Sequence, residues 1–445
     1  MLLATTALMT AQVSQPLRAS ADHFQPAHRL LGLPHNSGFP DGHDPYNSMG
    51  CASNGKIYYV LSADKYDVGA RMFCYDPQTD GVTFVADLTE ACGEKDHHSI
   101  VQGKSHVNFV EANGKLFFAT HLGFYSSQAG RETMGIPPAG WTAYPGGHLL
   151  SYDLASGQFE NFVMVPDHEG ILAFNMDTQH KRGFGITWPS GTFFRYNYAT
   201  HDLKILGKTC ARGEAGQGPD YRTVCRSIAV NPADGSAWYS TSEGNIFHYS
   251  ADLDAVELVR GETLKKDYFG IYDPLSPGHM GYNWRQTFFR PADQMIYGVH
   301  GNSGYLFRFD PRQEQIEVMD RITSEPSKAS GMFDQFSYGY LGFGLAHDGR
   351  TIYYLTGGPV YENGRRVAGK ATTAMGEAKG LEDLHLITYD IPNRQYCDHG
   401  AIYYPNGQRP LYVNSLAIGL DGTAYFLARI TENGHTRSDL ISVKP

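Results

Sequence analysis

The sequence predicts an all-β protein, a seven-bladed β-propeller whose ring is closed by an N-terminal strand. Composition is the first observation behind this. The 445 residues include 50 glycines and 29 tyrosines, with only 18% charged residues, a mixture that favours short strands and tight turns over long helices. A cadence repeated seven times is the second: a strand, a tight turn, a second strand, a rim loop, then a strand ending in an aromatic residue and Asp. Third, no helical pattern links successive strands, as a parallel α/β sheet would require.

The repeats run in order along the chain. Second strands are "KIYYVLSA", "KLFFATHLG", "GFGITWPSG", "SAWYSTSEG", "MIYGVHGNSG", "TIYYLTGG" and "TAYFLARI". Third strands are "RMFCYDP", "HLLSYDL", "TFFRYNY", "NIFHYSA", "YLFRFDP", "LHLITYDI" and "DLISVKP". Asn-Gly, Asp-Gly and similar pairs supply the turns before the second strands. Residues 361–383 read as an insertion in the sixth blade. The seventh blade has only three strands before the chain stops, so "AHRLLGLP", residues 27–34, is expected to add the fourth and remove an exposed edge.

Ahead of the ring, "MLLATTALMTAQVSQ" resembles the apolar part of a secretory signal without a positive n-region. Residues 1–22 are therefore assigned to a signal-like or disordered segment and 23–445 to one propeller domain. A secreted or periplasmic location follows from the first option. Six cysteines then admit a Cys210–Cys225 disulfide around the intervening loop, or buried free thiols. A net charge of −10 without a basic stripe excludes a nucleic-acid partner, and no later apolar run is long enough to span a membrane.

Chemistry concentrates in "KSHVNFVEANGKLFFATHLGFY". Asn113-Gly114 is the strongest short signal for a two-residue type I′ turn. Counting outward from it places His106 directly opposite His121, at the open end of the hairpin on a propeller rim. The repeat equivalents of His121 are Trp188, Ser242 and His300, so the histidine pair is not a scaffold requirement. Arg226 opens blade four, and Tyr282, Trp284 and Arg285 open blade five. Together these residues predict one mouth rich in imidazole, guanidinium, phenol and indole, suited to an acidic sugar.

At these residues the sequence resembles the seven-bladed polysaccharide lyases, above all ulvan lyases and more distantly oligogalacturonate lyases. "YPGGHLLSYDL", "GITWPSGTFFRYN", "CRSIAVNPADGSAWYSTSEG" and "DHGAIYYPNGQRP" carry the likeness with the hairpin. The resemblance implies β-elimination on a uronic-acid-containing, sulfated, ulvan-like polysaccharide. Under it His106, His121, Arg226 and Tyr282 are the catalytic candidates. One histidine carries the proton, Arg226 or Arg285 neutralises the uronate carboxylate, and a histidine, Tyr125 or Tyr282 serves as acid. Tyr125, Trp188, Trp284, Arg285 and His300 are expected to bind substrate.

The same family often holds a structural zinc, for which His385, Cys397 and His399 are the expected ligands, although no paired-ligand motif supports them. No organic cofactor is expected, and the protein is read as a monomer acting on an acidic polysaccharide. The rival reading is a non-catalytic propeller that binds glycan or protein on the same face. Hydrolysis ranks behind both, because no carboxylate pair falls at equivalent rim positions.

Overall fold

The computed structural model describes residues 29–445 except 129–130, 276–279, 301–302, 331–341, 360, 363–364, 367–381 and 433. The signal-like segment 1–22 and most of the expected sixth-blade insertion lie outside the described residues. Seven sheets form the ring: six have four strands and one has five. Every second and third strand read from the sequence is present, from Ile57–Leu61 and Arg71–Asp76 in blade one to Ala424–Glu432 and His435–Val443 in blade seven.

Middle strands such as Ile57–Leu61 are buried throughout, because neighbouring blades cover both faces of each sheet. They consequently read as continuous apolar runs, whereas outer strands such as Gly81–Asp87 carry exposed positions. Aromatic stacking fills the seams between blades; Phe184 and Tyr249, from blades three and four, have ring centroids 4.9 Å apart.

Closure is tighter than one added strand. Leu33–His35 pairs antiparallel with Leu440–Ser442 as the fourth strand of blade seven. Arg29–Leu31, immediately before it, pairs in parallel with Ala401–Tyr403 of blade six. The N-terminal segment therefore straps two blades together. All six cysteines are free thiols, so the Cys210–Cys225 loop is not cross-linked. Instead the Cys225 thiol donates to the Ser227 carbonyl at 3.2 Å. No described helix is long and apolar enough to cross a membrane.

Candidate active site

The blade-two hairpin begins as its turn chemistry dictates. Asn113 and Gly114 both have positive φ, 51° and 72°, and Ala112, Glu111 and Val110 face Lys115, Leu116 and Phe117. Beyond Val110 the regular pairing lapses, and it resumes where Lys104 faces His121. Lys104 and His121 exchange both backbone hydrogen bonds, at 3.0 and 2.7 Å. The intervening segment has taken up two extra residues, so Lys104 and not His106 stands opposite His121. The imidazoles still meet, with ring centroids 6.0 Å apart.

His106, His121, Tyr125, Trp188 and Arg226 line one pocket at this mouth, together with Lys104. Trp188 lies 5.6 Å from the His121 ring and 5.3 Å from that of Tyr125. Tyr125 is delivered by an extra hairpin in blade two, Tyr125–Gln128 paired with Arg131–Met134, which the repeat pattern does not reveal. Its strands are mostly polar and half exposed, and so leave no apolar periodicity.

Hydrogen bonds fix the protonation of both rings. Nδ1 of His106 lies 3.0 Å from the Leu172 carbonyl and Nδ1 of His121 lies 3.0 Å from the Leu122 carbonyl. A carbonyl only accepts, so each Nδ1 carries the proton and each Nε2 is left with its lone pair. The Nε2 of His121 is buried and has no hydrogen-bond partner. Burial, reinforced by the charge of Lys104, holds both imidazoles well below their ordinary pKa, and both are neutral at neutral pH. The Tyr125 hydroxyl donates to the Leu122 carbonyl at 3.1 Å and lies 3.4 Å from Nδ1 of His121. Burial raises its pKa far above the usual phenol value, so it stays protonated.

The cations are placed differently from one another. Arg226 forms a close ion pair with Glu214. That carboxylate also accepts from the Val224 N–H at 3.0 Å and from the Trp188 indole at 2.8 Å. Burial opposes the charge on Glu214, but the Arg226 guanidinium outweighs it and holds the carboxyl below its usual range. Across the pocket Asp44 pairs with Arg429 from blade seven. Lys104 is 4% exposed, and burial pushes its pKa down to about 8. Glu214 and Lys104 are site residues that sequence reasoning missed. Glu214 sits in a loop without periodicity, and Lys104 is a single lysine at a strand end, a place that is ordinarily solvated.

The blade-five residues are placed elsewhere. Tyr282, Trp284, Arg285 and His300 are not in the pocket wall; all four are buried. Trp284 faces His300 across the sheet, and its indole donates to the Ser227 carbonyl at 3.1 Å. His300 stacks on Phe269 at 4.3 Å, and the Tyr282 hydroxyl accepts from the Tyr272 N–H at 3.2 Å. Phe269 and Tyr272, from the rim loop before this strand, thus cover its end. Arg285 acts on the pocket through its charge, which helps to hold down the pKa of His106.

The three expected zinc ligands do not converge. His385 bonds Asp398 at 2.9 Å on one face of the blade-six sheet. His399 bonds Thr388 on the other face at 2.7 Å, and Cys397 pairs with Thr388 there. The described residues contain no group of three or more histidine, cysteine, aspartate or glutamate side chains able to hold a metal ion. These residues do not fit a zinc ion held by His385, Cys397 and His399 together.

No protein-family model and no curated protein matches this chain. Among solved structures, the β-propeller domain of Cps50 (Swd1) from Myceliophteria thermophila superposes with a TM-score of 0.49 at 9% sequence identity. The match covers 91% of this chain and 98% of that one.

Proposed function

We propose that this propeller is a polysaccharide lyase that cleaves a uronic-acid-containing, ulvan-like polymer by β-elimination. The carrying observation is the pair of neutral imidazoles, each with Nδ1 tied to a carbonyl and Nε2 left as an acceptor, in one pocket with a protonated tyrosine and two cations. In this reading a histidine Nε2 takes the C5 proton. The C5–H electron pair forms the C4–C5 double bond, the C4–O pair leaves with the departing oxygen, and Tyr125 protonates that oxygen. The proton on Nε2 returns to the Tyr125 phenolate through solvent once product leaves, because the 3.4 Å contact of Tyr125 is with Nδ1, which already holds its own proton. A cation must balance the charge that builds on the uronate carboxylate. Trp188 supplies an aromatic wall for a sugar face.

The test is ultraviolet absorbance from the new C4–C5 double bond on incubation with ulvan, pectin, alginate and glycosaminoglycans. Turnover is expected on one of them, and is expected to vanish in His106→Ala and His121→Ala with circular dichroism unchanged. If no polymer gains absorbance but one is retarded in affinity electrophoresis, the propeller is a glycan binder. Near-wild-type cleavage by both variants would remove the histidines from the mechanism.

A further inference from the structure

Of the two cations that line this pocket, Lys104 is the one without a direct counterion. Its backbone is pinned on both sides to His121, and its ammonium lies 3.9 Å from the ring centroid of Tyr46 and 4.5 Å from that of Tyr125. Among the described residues it has no ion pair and no side-chain hydrogen bond, and the ammonium rests on these two ring faces. Glu132 and Asp44, which also line the pocket, act on it through their charge without forming an ion pair with it. An ammonium buried to this degree ordinarily holds a counterion, because ring faces return only part of the lost hydration. Beside it, the buried Nε2 of His121 also lacks a partner. Arg226 differs in kind, since Glu214 already balances its charge.

We infer that Lys104, rather than Arg226, receives the carboxylate of an acidic sugar in this pocket. Tyr46 and Tyr125 clamp the ammonium and set its position, while Glu214 ties Arg226 to Trp188. The inference rests on the acidic-glycan reading above and names the residue that would select the acid. An ammonium is a point charge with three donors, so it tolerates a carboxylate whose angle changes as C5 flattens, which a planar guanidinium fork does less well. The carboxylate would also place C5 on the His121 side of the clamp, since Lys104 and His121 are direct cross-strand neighbours.

Calorimetric binding separates this from the lyase reading, because it needs no turnover. The probes are ulvan oligosaccharides in three forms: native, desulfated, and with the uronate carboxyls reduced to alcohols. Wild type is expected to bind the native and desulfated forms alike and the reduced form about tenfold more weakly or worse, the size of one charge-assisted hydrogen bond. Lys104→Met is expected to lose that same factor for the two acidic forms and nothing for the reduced form. Equal binding of native oligosaccharide by wild type and Lys104→Met would overturn the inference and leave the glycan reading standing. An equal loss on all three probes would overturn it as a general distortion. A Lys104 effect that disappears on desulfation would transfer the residue to a sulfate and overturn the carboxylate assignment. Binding of no form by wild type would overturn the inference together with the glycan reading. Should Lys104→Met fail to fold, Lys104→Gln carries the same comparison.

Discussion

His121 shows how closely a residue here is set by its surroundings. Its ring packs on the backbone of Gly170, where an added Cβ would lie 2.6 Å from the imidazole Cγ. That is too close for a real carbon contact, so Gly170→Ala must displace the ring or the first strand of blade three. Given that misplacement by about 1 Å can cost a hundredfold in rate, kcat on the active polymer is expected to fall on that order. Circular dichroism should stay native. An unchanged kcat would show that the His121 ring position is not critical. Lys104 makes the complementary case. Held at a pKa of about 8 by burial, it is charged in the native state below that value and charged in the unfolded chain up to its ordinary 10.5. The unfolded state therefore binds more protons between those limits, and stability rises with pH across them. Below pH 8 the buried charge costs about 3 kcal/mol, at ~1.4 kcal/mol for each pH unit separating the native and unfolded values. Lys104→Met should raise Tm at neutral pH, with the gain fading towards pH 10.5. Activity that needs the ammonium should fall above about pH 8, while the neutral imidazoles keep the acid limb well below 6.5. A flat difference in Tm between the two proteins across that range would contradict the buried-charge account. Of this detail the sequence carried the histidines and their approach. It did not carry Lys104, because two extra residues between Val110 and Lys104 shift the register, and no turn signal marks them.

The elements differ in how much they disclose. Second strands are legible because burial on both faces makes them apolar runs, third strands because they recur at one place in the repeated cadence, and the Asn113-Gly114 turn fixes its local register by its own chemistry. The Tyr125–Met134 hairpin and the 210–225 loop have no such pattern, yet they bring Tyr125 and Glu214 to the pocket. Glu214 is the loop's anchor, bonded at once to Arg226, Val224 and Trp188. Its removal leaves a nearly buried guanidinium without its carboxylate, a change that typically costs about 3–5 kcal/mol. Glu214→Ala is expected to lower the free energy of urea unfolding by about 3 kcal/mol or more. It should also quench or shift tryptophan emission as Trp188 loses its acceptor. A loss below about 1 kcal/mol, the range of an exposed ion pair, would mean that the loop is held by other contacts.

At the scale of the whole ring, the problem is the seam between the first and last blades. The sequence announced a missing fourth strand, and the chain supplies it from its other end. That the preceding residues also pair with blade six was not legible, since a parallel strand of three residues leaves no periodicity of its own. The strap is fixed by side chains as well as by its ladders. The Ser37 N–H donates to Asp439 at 3.1 Å, His35 bonds Ser442 at 2.8 Å, and the Arg29 guanidinium lies 4.4 Å from the Tyr403 ring centroid. Removing residues 1–36 would uncover the edges formed by Gln395–Tyr403 and His435–Val443, leaving unpaired backbone groups on two adjacent blades. At ~1 kcal/mol net for each lost hydrogen bond, the truncation should cost several kcal/mol. Tm should fall, and the exposed edges should drive concentration-dependent association on size-exclusion chromatography. Removing residues 1–32 instead spares Leu33–His35 and frees only the blade-six edge, so its loss should be the smaller of the two. The order of the two losses is the test. Equal melting temperatures for both truncations would mean that the strand in blade seven adds nothing to closure, and that the ring is held by the face-to-face packing of its blades alone.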